Sequence, residues 1–342
     1  MERVYLKDLE NVHEVKLFLK NANLKLDQYI HELYVIRENG KIIASGAIYG
    51  KVLKCIAIHE DHKGTNLINS VMTFLTSRSF ELGNIGLFIY TKPCSYKSFE
   101  FFGFKKIAET ENVILLENNE FGLDSYLNKL EKSNIDGKIG AVVVNCNPFT
   151  LGHKYLIETA AASCDLLHVF VVWEDQSSFS NEVRFELVTR GLKEFKNVVI
   201  HKGEDYIVSE ATFPSYFIKS GDEIIKEHTK LDLNLFSKKI APALNIKYRF
   251  AGEEPFSKTT EFYNQTMKTV LKDNDIEFVI LKRKASDGIA ISASKVRALL
   301  RRERFSEIRK IVPDSTYEYL TSDRAKPVIE KIKKEYINES LV

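Results

Sequence analysis

Residues 139–146, Ile-Gly-Ala-Val-Val-Val-Asn-Cys, form an apolar, β-branched run that breaks at Asn147-Pro148 and gives way to a helical pattern near Gly152. An unbroken apolar run of this kind suits a parallel strand covered on both faces, because a strand with one wet face alternates apolar and polar residues. Similar runs lie at 166–173, 197–201, 247–250 and 276–281, separated by helical patterns at 152–162, 181–195, 214–227 and 259–273. Strands alternating with helices predict an α/β domain with a doubly wound parallel sheet. In such a sheet ligands bind beyond the carboxyl ends of the strands, where helix N-termini present free N–H groups to phosphate.

The first part of the chain reads as mixed helix and strand. A helical pattern at 6–26 precedes two strand-like runs, 32–38 and 41–49, joined at Asn39-Gly40, a strong hairpin signal. A third strand at 52–58, a loop at 60–64 and a helix at 66–82 follow. A strand at 86–91, a short helix at 96–102 and strand runs at 105–107 and 113–117 complete this part. These patterns predict a mixed α+β domain over 1–133, with the polar stretch 118–137 as connection, and the α/β domain over 134–342. The tail after Ser292 is helical and basic, with Arg297, Arg301, Arg302, Arg304 and Arg309.

The 342 residues carry 49 basic and 47 acidic side chains, a net charge of +2. That balance points to neither nucleic acid nor an anionic membrane as partner. No apolar run approaches the roughly 20 residues of a membrane span, and Met1-Glu2-Arg3-Val4 does not open a signal peptide. Cys55, Cys94, Cys146 and Cys164 lack CxxC spacing, so neither a disulfide framework nor a zinc site is expected. The expectation is a cytoplasmic protein.

The chemistry concentrates at two strand-to-helix junctions. Thr150-x-Gly152-His153 opens the helix after the first parallel strand; Gly152 lets backbone approach a phosphate, and His153 can donate to an α-phosphate. This tetrad resembles the (H/T)xGH signature of the nucleotidylyltransferase superfamily. At 291–297, Ile-Ser-Ala-Ser-Lys-Val-Arg resembles that superfamily's ISxSxxR element, which implies that Ser292, Ser294 and Arg297 hold the β- and γ-phosphates of ATP. Ser292 or Ser294 caps the last basic helix, and an arginine suits a phosphate because it forms two parallel hydrogen bonds. Lys282 and Arg283, ending the preceding strand, add positive charge. Catalytic roles are therefore expected for His153, Thr150 and Arg297. Nucleotide contacts are expected at Asn145, Asn147, Pro148, Phe149, Gly152, Gly252, Glu253, Lys282, Ser292 and Ser294.

Longer stretches resemble the citrate (pro-3S)-lyase ligase family: 145–157 (Asn-Cys-Asn-Pro-Phe-Thr-Leu-Gly-His-Lys-Tyr-Leu-Ile), 172–180, 210–217, 251–256, 263–265 and 291–297. The resemblance implies a GNAT-like (acetyltransferase-fold) domain ahead of a nucleotidylyltransferase domain. It further implies that ATP with Mg²⁺ and acetate gives acetyl-adenylate, from which the thiol of the citrate lyase acyl carrier's prosthetic group takes the acetyl. Glu174, Asp175, Ser209, Thr212, Ser215, Phe256 and Tyr263 fall in or beside these stretches as further pocket candidates, whereas Arg184 reads as a helix-surface residue and Cys146 as a bystander to a thiol that the substrate brings. The loop Asp61–Asn66 departs from the acyl-CoA pattern, with an acidic residue first and no glycine last. Two alternatives remain open: an adenylyltransferase making a nucleotide cofactor, and a GNAT-type acetyltransferase or acyl-CoA sensor.

Overall fold

Asn39 and Gly40 both take positive φ, 50° and 76°, as a two-residue hairpin turn demands. The strands that they join pair antiparallel from Glu32↔Ile48 to Glu38↔Lys41. The computed structural model describes residues 1–173, 177–208, 213, 216–218, 221–253, 258–282, 285–286 and 289–339. It divides into two units, Met1–Lys129 with Glu210–Leu235, and Leu130–Ser209 with Phe236–Val342.

The first unit is built on a seven-stranded sheet in the order β1-β2-β3-β4-β5-β7-β6. Its strands are β1 (Glu2–Val4), β2 (Glu32–Glu38), β3 (Lys41–Tyr49), β4 (Val52–Ile58), β5 (Phe88–Thr91), β6 (Lys105–Glu109) and β7 (Ile114–Glu117). With them run α1 (Leu9–Asn21), α2 (Leu67–Glu81), α3 (Tyr96–Glu100) and α4 (Gly122–Lys129). Only β4 and β5 pair in parallel, and only at Val52↔Phe88 and Leu53↔Ile89. The three-residue β1 lies outside the sequence expectation, too short to leave a periodicity.

The second unit begins with β8 (Ile139–Val144), α5 (Leu151–Ala161), β9 (Leu166–Val171), α6 (Asn181–Gly191) and β10 (Val198–Lys202). After α7 (Gly221–Leu235), which belongs to the first unit, come α8 (Ala241–Ala243), β11 (Tyr248–Gly252), α9 (Lys258–Lys272) and β12 (Glu277–Leu281). The chain ends through α10 (Ala293–Arg301), α11 (Phe305–Ile308), α12 (Asp314–Leu320) and α13 (Lys326–Glu339). The sheet order is β10-β9-β8-β11-β12, and every pairing is parallel. Both faces are covered: β8 and β9 run almost wholly buried, as their β-branched content requires. Strand order reverses between β8 and β11, which places the ligand-binding crevice of such a sheet at their carboxyl ends.

The sequence reading runs the second domain unbroken from 134 and starts a helix at 214. The helix instead begins at Gly221, and its segment packs with the first unit. Thr110 donates to the Glu227 carboxylate, and Asn234 Nδ2 donates to the Glu109 carbonyl at 2.8 Å. Tyr216 is buried among Val15, Leu19 and Val35, its hydroxyl donating to the Tyr90 carbonyl at 2.9 Å. A fragment ending at residue 133 lacks these groups. It is expected to bind a hydrophobic dye and to melt without cooperativity; a cooperative melt at the full chain's temperature contradicts the assignment of 210–235.

His168 of β9 and His201 of β10 lie buried with Nδ1 and Nε2 2.8 Å apart. Burial holds both imidazoles neutral, His168 down to about 4 and His201, which also feels His168, down to about 3. An unfolded chain takes up these protons as pH falls below about 6.5, whereas the folded one resists until about 4. The stabilisation is therefore complete above pH 6.5 and is lost as pH falls through that window, by up to about 1.4 kcal/mol per pH unit for each proton. Denaturant titrations between pH 7 and 4 are expected to show this slope, and His201→Gln to flatten it.

Candidate active site

Thr150 starts α5 with extended backbone, φ −125°. Its hydroxyl accepts from the His153 amide at 3.3 Å, and its own amide donates to His153 Nδ1 at 3.1 Å. This reciprocal cap, worth about 1 kcal/mol for its threonine half, has a chemical consequence. With Nδ1 accepting, the neutral ring carries its proton on Nε2. The Phe149 ring lies 6.2 Å from the imidazole at an interplanar angle of 15°, which limits its rotation.

Ser292 starts α10 in the same way, φ −134°, its hydroxyl accepting from the Lys295 amide at 3.2 Å. The two helix starts meet. A Cβ on Gly152 would lie 2.9 Å from the Ile291 carbonyl oxygen, so only glycine allows the contact. The sequence reading gave Gly152 to close approach of a phosphate; the described structure adds a packing reason for the same residue. Residues of both starts line a cavity of about 470 Å³, with Asn145 at the end of β8, Gly252 at the end of β11, Asn264 of α9 and Lys282 beyond β12. Its electrostatics, among the described residues, come from the Gly152 amide of α5, the Ala293 and Ser294 amides of α10, and Lys282, since the Leu151, His153 and Lys295 amides are already taken by Ile311, Thr150 and Ser292.

The loop 145–149 that shapes the cavity is fixed from several sides. Cys146 takes φ 54° and is wholly buried, and the Asn147-Pro148 bond is cis. Arg297 Nη1 donates to the Asn147 carbonyl at 2.5 Å, and Nη2 to the Ser294 hydroxyl at 3.3 Å. The Thr316 hydroxyl donates to the Phe149 carbonyl at 2.9 Å, and the Leu151 amide to the Ile311 carbonyl at 3.0 Å. Arg184, expected on a helix surface, is fully buried: Nη1 donates to the Asn145 carbonyl, to Asn145 Oδ1 and to the Val172 carbonyl at 2.9, 2.6 and 2.7 Å. Its Nε donates to the Phe179 carbonyl at 3.1 Å.

Of the expected residues, Asn145, Thr150, Gly152, His153, Gly252, Lys282, Ser292 and Ser294 line the cavity. Pro148 and Phe149 are buried behind it, and Asn147 meets Arg297 and, through Oδ1, the Phe179 amide at 3.1 Å. Glu253 is exposed, its amide donating to the Leu281 carbonyl at 2.9 Å. Burial pushes the Cys146 thiol well up, so it stays protonated at neutral pH. Glu174, Asp175, Ser209, Thr212, Ser215, Phe256, Arg283 and the Tyr263 side chain lie outside the described residues. Asn264, Ile311 and Thr316 were not singled out from the sequence, and Arg184, read there as a helix-surface residue, is buried instead. Among the described residues, no group of three His, Cys, Asp or Glu could hold a metal ion, and no helix is long and apolar enough to cross a membrane.

The Citrate lyase ligase C-terminal domain family matches residues 139–320. A citrate (pro-3S)-lyase ligase of Klebsiella pneumoniae is 40% identical over 321 residues, covering 92% of this chain and 94% of that protein. One of Escherichia coli (strain K12) is 38% identical, covering 93% of this chain and 92% of its own length. This chain belongs to the citrate lyase ligase family. The matched span opens on the first residue of β8 and closes on the last of α12, so it holds every group that buttresses the loop, Thr316 included. The relatives' coverage takes in the first unit as well, which is thus part of the family's common length.

Two glycines separate packing from ligand approach. Gly152→Ala forces the helix starts apart and is expected to lower kcat/KM about 10²-fold, the order that a 1 Å misplacement costs. Among the described residues, a Cβ on Gly252 meets only Leu156 Cδ2, at 4.0 Å. Gly252→Ala is therefore expected to keep the melting temperature while raising KM for the nucleotide; steady-state kinetics beside thermal melts check both.

Proposed function

We infer that this protein activates citrate lyase by ligating acetate to the thiol of its acyl carrier's prosthetic group, consuming ATP and releasing AMP and pyrophosphate. One observation carries the reading. Two capped helix starts converge on a cavity at the β8–β11 reversal, beside a histidine whose proton is set on Nε2. Membership of a family whose relatives bear the ligase name supports the choice of acid and acceptor.

The first half-reaction forms a bond between a carboxylate oxygen of acetate and the α-phosphorus, and breaks the bond to pyrophosphate. It asks the protein for positioning and for stabilisation of spreading negative charge. The α5 and α10 starts and Lys282 hold the phosphates, Gly252 gives room to the nucleoside, and His153 Nε2–H donates to the α-phosphoryl oxygen. Arg297 contributes by ordering Asn147 and Ser294. In the second half-reaction the acceptor's thiolate attacks the acetyl carbonyl and AMP leaves. No cysteine of the site enters, in keeping with the raised Cys146 thiol.

The described cavity offers N–H and amide groups and Lys282 but no carboxylate. That lining fits a Mg²⁺ ion carried in on phosphate oxygens, as this cation is commonly held, rather than one caged by side chains. When bound, it neutralises phosphate charge.

Purified protein with ATP is expected to release pyrophosphate only when acetate is present, and AMP and lyase activity only when deacetylated citrate lyase is added. His153→Ala is expected to slow pyrophosphate release about 10²–10³-fold. AMP joined to a phosphate-bearing acceptor, without acetate dependence, makes the protein an adenylyltransferase instead.

A further inference from the structure

We propose that Arg184 is a positioning residue that sets the side-chain amide of Asn145 so that its NH₂ group, not its oxygen, faces the reacting centre. There it donates to an anionic oxygen, either the carboxylate of the acid or the α-phosphoryl group. The inference rests on the function proposed above and assigns the group that orients its substrates at the end of β8.

The orientation follows from donor and acceptor chemistry. A guanidinium has five donors and no acceptor, so the Asn145 side-chain atom 2.6 Å from Arg184 Nη1 is Oδ1. The Ser177 hydroxyl donates to the same oxygen at 3.4 Å. Asn145 itself is exposed and lines the cavity, so the Nδ2 donors are the polar groups it presents there. Arg184 is well placed to hold this choice. It is wholly buried, and the carbonyls of Asn145, Val172 and Phe179 accept further hydrogen bonds from it, so it ties the ends of β8 and β9 together. A side-chain amide in an anion site is ambivalent, since rotation by 180° turns a donor into an acceptor. The buried cation removes that ambiguity.

Asn145→Asp tests this with almost no change of shape. The carboxylate keeps the bond to Arg184, now an ion pair, and turns its second oxygen to the cavity, an acceptor where the wild-type chain has a donor. The variant is expected to melt at or above the wild-type temperature and yet to lose at least about tenfold in kcat/KM. The loss appears in KM for acetate if the carboxylate is the contact, and in KM for ATP if the α-phosphoryl group is. Arg184→Lys is expected to lower turnover in the wild-type background and to cost clearly less on Asn145→Ala, where the amide is already gone and only its bonds to the backbone carbonyls of residues 145, 172 and 179 are left to lose. Wild-type kinetics in Asn145→Asp overturn the proposal, as does an Arg184→Lys loss that persists undiminished on Asn145→Ala. Should Arg184→Lys fail to fold, Asn145→Asp decides alone. Direct titration of ATP and of acetate separates this inference from the function. A wild-type chain without acetate-dependent turnover, whose anion binding still weakens in Asn145→Asp, refutes the function and leaves the amide's role standing; binding unchanged in the variant refutes the role.

Discussion

The site depends on one contact between backbones, the start of α5 against the carbonyl of Ile291. A methyl group on Gly152 would stand 2.9 Å from that oxygen, closer than a Cβ comes to a neighbouring atom in real structures. Because the contact closes, the first turns of α5 and α10 line one cavity, through Gly152 and His153 on one side and Ala293 and Ser294 on the other. One helix start holds a single anionic group. Two starts, with Lys282 beside them, suit a chain of phosphates, the role proposed for them together with the histidine that caps the first start.

Much of the structure around that contact exists to hold it. The loop leading into α5 carries a residue at positive φ, Cys146, and is fixed by hydrogen bonds to groups far apart in the chain: Arg184 of α6, Arg297 of α10, the Ile311 carbonyl between α11 and α12, and Thr316 of α12. Burying a guanidinium is costly unless its donors are satisfied. Arg184 meets the cost with three carbonyls and a side-chain amide, which makes it a rigid brace. Preorganisation of this kind lets a charge-stabilising site act without rearranging during the reaction.

Legibility in the sequence followed the range of the interactions. Strands β8 and β9 were readable because burial on both faces leaves continuous apolar runs. Strands β10, β11 and β12 were readable because short apolar runs alternate with helical patterns, although they are only partly buried, and the first hairpin because Asn39-Gly40 is a local turn signal. Both helix caps, Thr150 and Ser292, were readable for the same reason: the hydrogen bonds span three residues. Arg184 was not, since a charged residue in an amphipathic helix pattern reads as solvated, and its partners lie 39 and 12 positions away in the chain. Thr316, which meets Phe149 across 167 positions, leaves no local trace either. The packing of 210–235 with the first unit was equally hidden, because Tyr216 and Glu227 carry no composition break that marks a change of partner.

The claim that two helix starts act together on phosphates is tested most directly by titrating ATP and AMP into the protein and into Ala293→Pro. Proline is tolerated at the first position of a helix, and the extended backbone of Ser292, φ −134° and ψ 152°, accepts a following proline. The substitution therefore removes one first-turn N–H of α10 and little else. ATP is expected to bind at least about tenfold tighter than AMP to the wild-type chain, and Ala293→Pro to erase about tenfold of ATP affinity, the worth of a hydrogen bond to a charged group, while AMP binding stays the same. Equal affinities for ATP and AMP, or an Ala293→Pro chain that binds both as the wild type does, would contradict the account.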